Sequence, residues 1–190
     1  MKHFKLHAVI ENKSRHSIEA VWENAQDLEH VATLHQRTNC GFRLLHHERA
    51  ADSKYVYDTL VYSASRKLAG VMPINSFGFR KIVGHYNIHQ LECISVLGWT
   101  SFLNSQLIST GDKDFPTLMR DEVTVELPVI FKPLTGWIKR SLQRHARLQC
   151  EEDEPFRARR EELSQRGIHL PFRLFNQSEF FKLARSTKAP

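Results

Sequence analysis

Several kinds of signal are missing from these 190 residues, and each absence narrows the reading. No stretch approaches the roughly 18 consecutive apolar residues of a membrane span, and the mean hydropathy is −0.42. The opening Met1-Lys2-His3-Phe4-Lys5 has no apolar core behind its charges, so no secretory signal is expected. Cysteine is scarce and odd in number. Cys40, Cys93 and Cys150 lie far apart with no C-x-x-C, which signals neither a disulfide framework nor a structural zinc site. The expectation is a reducing, cytoplasmic setting. There is no internal repeat, no low-complexity linker and no nucleic-acid-binding motif. Membrane, fibrous and disordered classes are thereby set aside.

What is present fits one domain with a tail. A hydrophobic share of 41% and a charged share of 25% belong to an ordinary globular chain. Lys and Arg exceed Asp and Glu by 27 to 21, giving a formal charge of +6, which permits an acidic partner without demanding one. Histidine is abundant, at 11 residues. It is the side chain most readily recruited to metal binding or proton transfer near neutral pH.

Residues 4–11 read as a first strand. Ser14 and Ser17 are candidate N-caps for a helix whose apolar positions are Ile18, Val21, Trp22, Ala25, Leu28 and Ala32, extending toward His35. Six strands are predicted after it, at 42–48, 55–62, 77–83, 85–96, 100–109 and 118–127, bounded by Gly, Pro and Asp-Ser signals. With no helical pattern between them, short antiparallel connections are expected. After Pro128 the period becomes 3.6. Leu134, Trp137, Ile138, Leu142, His145, Leu148 and Gln149 share one helix face, continuing through Glu152, Phe156 and Leu163 to Gly167. Pro155 inside this run predicts a kink or restart. The expected organisation is a domain over 1–167 and a tail over 168–190, with a short helix at Glu179–Arg185.

This order resembles the helix-grip fold of the START / Bet v 1-like superfamily: α+β, with a curved antiparallel sheet wrapped around a long C-terminal helix. The resemblance implies a cavity between sheet and helix, of the kind that takes apolar or aromatic ligands.

Two motifs stand inside it. Asn24-Ala-Gln-Asp27-Leu-Glu-His30-Val-Ala-Thr-Leu-His35 has the pattern N-x2-D-x2-H-x4-H, and Glu152-Asp153-Glu154-Pro155 falls in the last helix. Both resemble motifs of the catalytic domain of Rieske-type aromatic-ring-hydroxylating oxygenases. That resemblance implies mononuclear non-heme Fe(II) held by His30, His35 and Asp153. Asp27 would be the catalytic aspartate beside the iron, and Asn24 a neighbour of the site. Two imidazoles and one carboxylate on one face of Fe(II) leave positions open for O2 and substrate. On a regular helix His30 and His35 point about 140° apart, so their convergence needs a bend or an end between them. Spacing alone favours Glu152 as the carboxylate and the family match favours Asp153, so Glu152 is held in reserve.

The chain departs from that family in one respect. No cysteine begins a C-x-H or C-x2-H pair, so there is no Rieske cluster here. A separate electron-transfer protein would have to supply electrons. The leading expectation is an oxygenase-like oxidoreductase acting on a small apolar or aromatic substrate. The alternative is a metal-free member of the same superfamily that binds a lipid or polyketide-like ligand, or acts as a cyclase, with histidines at most donating protons. The basic residues Lys139, Arg140, Arg144, Arg147, Arg157, Arg159 and Arg160 are read as a solvated outer helix face, or else as a dock for an acidic redox partner. His85, Asn87 and His89 share a phase on a predicted strand and are read as a polar face.

Overall fold

The computed structural model describes residues 2–27, 39–55, 57–68, 72–94 and 98–168. The order is β1 (His3–Ser14), α1 (Ile18–Gln26), β2 (Asn39–Glu48), β3 (Thr59–Leu68), β4 (Met72–Gly84), β5 (Asn87–Ile94), β6 (Trp99–Ser109) and β7 (Thr117–Pro128). A short 3-10 turn (Val129–Leu134) then leads into α2 (Thr135–Gln165). The strands form one curved antiparallel sheet in the order β1-β7-β6-β5-β4-β3-β2. Chain neighbours pair as hairpins or meanders, except that β1 crosses to β7, in register from His3 opposite Pro128 to Ser14 opposite Thr117. The expected helix-grip fold is present. Among the described residues no helix is long and apolar enough to cross a membrane.

Local chemistry sets the element ends. Ser17 caps α1, its side chain accepting a hydrogen bond from the Ala20 N–H at 3.3 Å. The first helix is described only as far as its C-cap, Asp27, so its predicted extension to His35 lies outside the described residues. The strand expected at 55–62 instead begins at Thr59. Asp58 diverts the chain before it, its carboxylate accepting from the Ala50 N–H at 2.6 Å and the Ser53 hydroxyl at 2.7 Å. Tyr55 and Tyr57 therefore belong to a loop, although Tyr57 is wholly buried. His85 lies in the turn between β4 and β5 rather than on a strand, next to Tyr86 at φ 63°.

The long helix runs unbroken through Pro155, contrary to the expected restart. Pro155 is exposed, so the backbone bond that it forfeits lies on the solvent side. The 31 residues span about 46 Å at 1.5 Å per residue. The buried stripe also differs from the expected one. Leu134 and Trp137 are exposed, while Ile138, Asp153, Arg157 and Arg160 are buried. The tail over 169–190, with its predicted short helix, lies outside the described residues.

Two apolar clusters anchor the layers. Trp22 of α1 packs with Tyr57, Leu60, Tyr62, Ile82 and Ile88. Ile138 of α2 packs with Leu6, Trp99, Val125 and Leu127.

Candidate functional site

Sheet pairing determines which side chains meet. Residues two apart on a strand share a face, and partners in register extend that face across the sheet. On the side turned toward α2, three rows result. The first runs Tyr62, Gly78, Glu92, Ser101 and Val125. The second runs Leu60, Arg80, Gln90, Leu103 and Val123. The third runs Ile82, Ile88, Ser105, Asp121 and Ile10. Over these rows α2 lays Leu142, His145, Ala146, Gln149, Cys150, Asp153 and Arg157, and α1 contributes Val21, Asn24 and Ala25. Between the layers lies a cavity of about 280 Å³.

The cavity is apolar along part of its wall and ionisable along the rest. At one end Tyr62 lies flat across β4. A Cβ on Gly78 would stand 2.0 Å from the Tyr62 Cζ, so only glycine leaves room for that ring. Phe42 stacks on its other side, with centroids 5.1 Å apart. So held, the Tyr62 hydroxyl donates to Glu92 at 3.3 Å, and the Ser76 hydroxyl donates to the same carboxylate oxygen at 3.0 Å. Glu92 is buried, and these donors offset part of the cost of that.

At the other end stand Arg80, Asp121 and Arg157. Burial pushes the Asp121 carboxyl above the ordinary carboxylate range. A Ser105 hydrogen bond and the charges of Arg80 and Arg157 draw it partly back. Burial also raises the Cys150 thiol, to about 11, so it stays protonated and is no nucleophile at neutral pH. Arg157 donates to Asp153 at 2.9 Å, both side chains being largely buried. Tyr57, behind Arg80, has its phenol pushed up by burial against the pull of the guanidinium.

Just outside the cavity, the two helices are joined by charge. Arg160 donates to Asp27 and lies 3.9 Å from Glu23. His16, in the β1–α1 connection, places Nδ1 2.6 Å from Glu161 and Nε2 3.1 Å from Glu154. The Ser17 N–H also donates to Glu161, at 3.2 Å. The expectation of a solvated basic face therefore fails for Arg157 and Arg160, which turn inward because acidic partners wait there. It holds for Lys139, Arg140, Arg144, Arg147 and Arg159, which are exposed.

The residues singled out from sequence fall as follows. Asn24 lines the cavity and is 1% exposed. Asp27 pairs with Arg160. Asp153 is buried on the cavity wall, whereas Glu152, expected in mid-stripe, is half-buried. His30 and His35 lie outside the described residues. Of the implied iron ligands only Asp153 can be placed, and a guanidinium hydrogen-bonded to it opposes a divalent cation at the same oxygen. Among the described residues no group of three His, Cys, Asp or Glu side chains is arranged to hold a metal ion. Sequence reasoning missed Arg80, Glu92 and Asp121. Their signal was polarity at strand positions in phase with Leu60, Leu103 and Val123, and it becomes readable once the register is known.

No protein-family model matches the sequence, and no curated protein does. Solved structures do match. StfQ, a di-domain aromatase/cyclase from the steffimycin biosynthetic pathway, is 8% identical, with a TM-score of 0.62 over 82% of this chain and 51% of StfQ. The chain thus spans about half the length of that protein. A Staphylococcus aureus protein of unknown function is 9% identical, with a TM-score of 0.60 over 83% of this chain and 96% of its own. The Zhui aromatase/cyclase from Streptomyces sp. R1128 is 12% identical, with a TM-score of 0.53 over 84% and 94%. Identities this low establish the helix-grip fold and nothing finer.

Proposed function

We propose that this helix-grip chain binds a small, largely apolar or aromatic molecule in the cavity between sheet and α2, and acts on it as a cyclase-like protein. The observation that carries this reading is the pairing of apolar wall with titratable side chains in one cavity. Leu103, Val123 and Leu142 supply the apolar surface, and Asp121 and His145 supply titratable groups. Pockets of this composition hold a ligand by its apolar body and orient it by a few polar atoms. An aldol-type ring closure needs a proton taken from carbon and a proton delivered to oxygen, and loss of water then needs the hydroxyl protonated as it leaves. A buried carboxyl, whose proton is held more tightly than that of an exposed one, is a candidate for both transfers. The aromatase/cyclases of the same fold support this reading by analogy.

Native mass spectrometry of freshly purified protein tests it. Retention of a polyketide-like or other aromatic molecule, released on unfolding and absent from Leu103→Trp, is the expected result. Empty protein that binds no aromatic compound would sink the reading.

A second reading, Fe(II) held by His30, His35 and Asp153 with electrons from a separate protein, draws on one observation. Asn24 and Asp153 share the cavity wall. It requires Asp153 to exchange Arg157 for the metal. Anaerobic Fe(II) titration decides it: one equivalent bound by the parent and none by Asp153→Ala would select iron over the reading above.

A further inference from the structure

Charged groups facing an apolar cavity are costly unless compensated. Most here are compensated. Arg157 pairs with Asp153, and Glu92 accepts from Tyr62 and Ser76. Asp121 is pushed by burial toward its neutral form.

Arg80 differs. It sits in mid-β4 on the inner face, in register with Leu60 on one side and Gln90 on the other. Its Nη1 donates to the Ala25 carbonyl at 3.3 Å, its Nε is buried without an acceptor, and among the described residues it makes no ion pair. Tyr57 beside it shares a side-chain hydrogen bond with the guanidinium but carries no charge to cancel it, and Asp121, which feels the charge of Arg80, stands beyond ion-pair distance. Arginine cannot shed its proton in a protein. A planar cationic fork therefore stands on the cavity wall with donors to spare, and such a fork pairs best with an oxyanion.

We propose that Arg80 anchors an acidic ligand, a planar and mostly apolar molecule bearing a carboxylate, phenolate or enolate oxygen. The oxyanion pairs with the Arg80 guanidinium. The apolar body lies along the same row, over Leu103 and Val123 and under Leu142 of α2. At interior packing density the cavity holds about 200 Å³ of ligand atoms, a molecule of two or three fused rings. This inference rests on the ligand-binding reading above and adds the sign of the ligand's charge.

Isothermal titration with two isosteric probes tests it. 2-Naphthoate and 2-naphthamide share shape and differ in charge. The parent protein is expected to bind naphthoate at least about tenfold more tightly than naphthamide. Arg80→Gln should bring the two within about twofold, with naphthoate losing the larger share of its affinity. Arg80→Lys, which keeps the charge and loses the fork, should retain part of the preference. Circular dichroism confirms that each variant is folded, and the lysine variant carries the test if the glutamine variant is not. Equal affinity of the parent for both probes overturns the anchor and leaves the ligand-binding reading standing. Failure to bind either probe overturns both. A naphthoate preference that survives in folded Arg80→Gln overturns the anchor by assigning the charge to another group.

Discussion

Gly78 has no side chain because the ring of Tyr62 occupies the place where one would be. A methyl group there meets a ring already pinned by Phe42, so the strain has no cheap release. Gly78→Ala is expected to destabilise the fold by about 1–3 kcal/mol, the usual cost of overpacking. Adding Tyr62→Ala should cost less in the Gly78→Ala background than in the parent, since there removing the ring also relieves the clash. Thermal denaturation of the four proteins checks this. Asp121 offers a pH test. Its folded-state pKa is raised, so between its unfolded value and that raised value the folded chain binds more protons, and stability falls as pH rises. Asp121→Asn removes this penalty. It should melt a few degrees higher than the parent at pH 7, with the gap closing below about pH 4. Of such details sequence supplied some. Of the residues marked by motif, Asn24 and Asp153 line the cavity and Asp27 pairs with Arg160 outside it. Arg80 and Asp121 were not marked, because nothing local distinguishes an inward strand residue from an outward one.

Among elements, α2 explains most of the arrangement. A helix of its length was legible from the 3.6 period after Pro128. Its charged inner half was not. Burying Arg157 and Arg160 makes sense only opposite Asp153, Asp27 and Glu23, and the last two arrive from α1, more than a hundred residues earlier. Arg160→Met removes one side of that clasp and leaves carboxylates facing the interior. A loss of about 2–3 kcal/mol is expected, below the full 3–5 for a buried pair because Glu23 and Asp27 keep some contact with water. Chemical denaturation measures it. An unchanged midpoint would mean that the helices are held by apolar packing alone.

The whole molecule is two apolar clusters with a hollow between them. Such a hollow lowers stability, because its lining atoms lack partners. Leu103→Trp should fill it, holding or raising the melting temperature while abolishing 2-naphthamide binding. Loss of binding together with a large drop in melting temperature would instead mean that the site is rigidly packed. The helix-grip architecture followed from element order: one strand, one helix, a run of strands bounded by turn residues, then a long amphipathic helix. Periodicity and turn chemistry are local properties, and they act over a few residues of chain. Which polar groups share the cavity was decided by pairing β1 with β7 and by laying α2 across three rows of the sheet. The β1–β7 partners lie more than a hundred positions apart, and α2 meets strands from every part of the chain before it. The energies of these contacts depend on burial and on the charge that arrives opposite, which no stretch of neighbouring residues encodes.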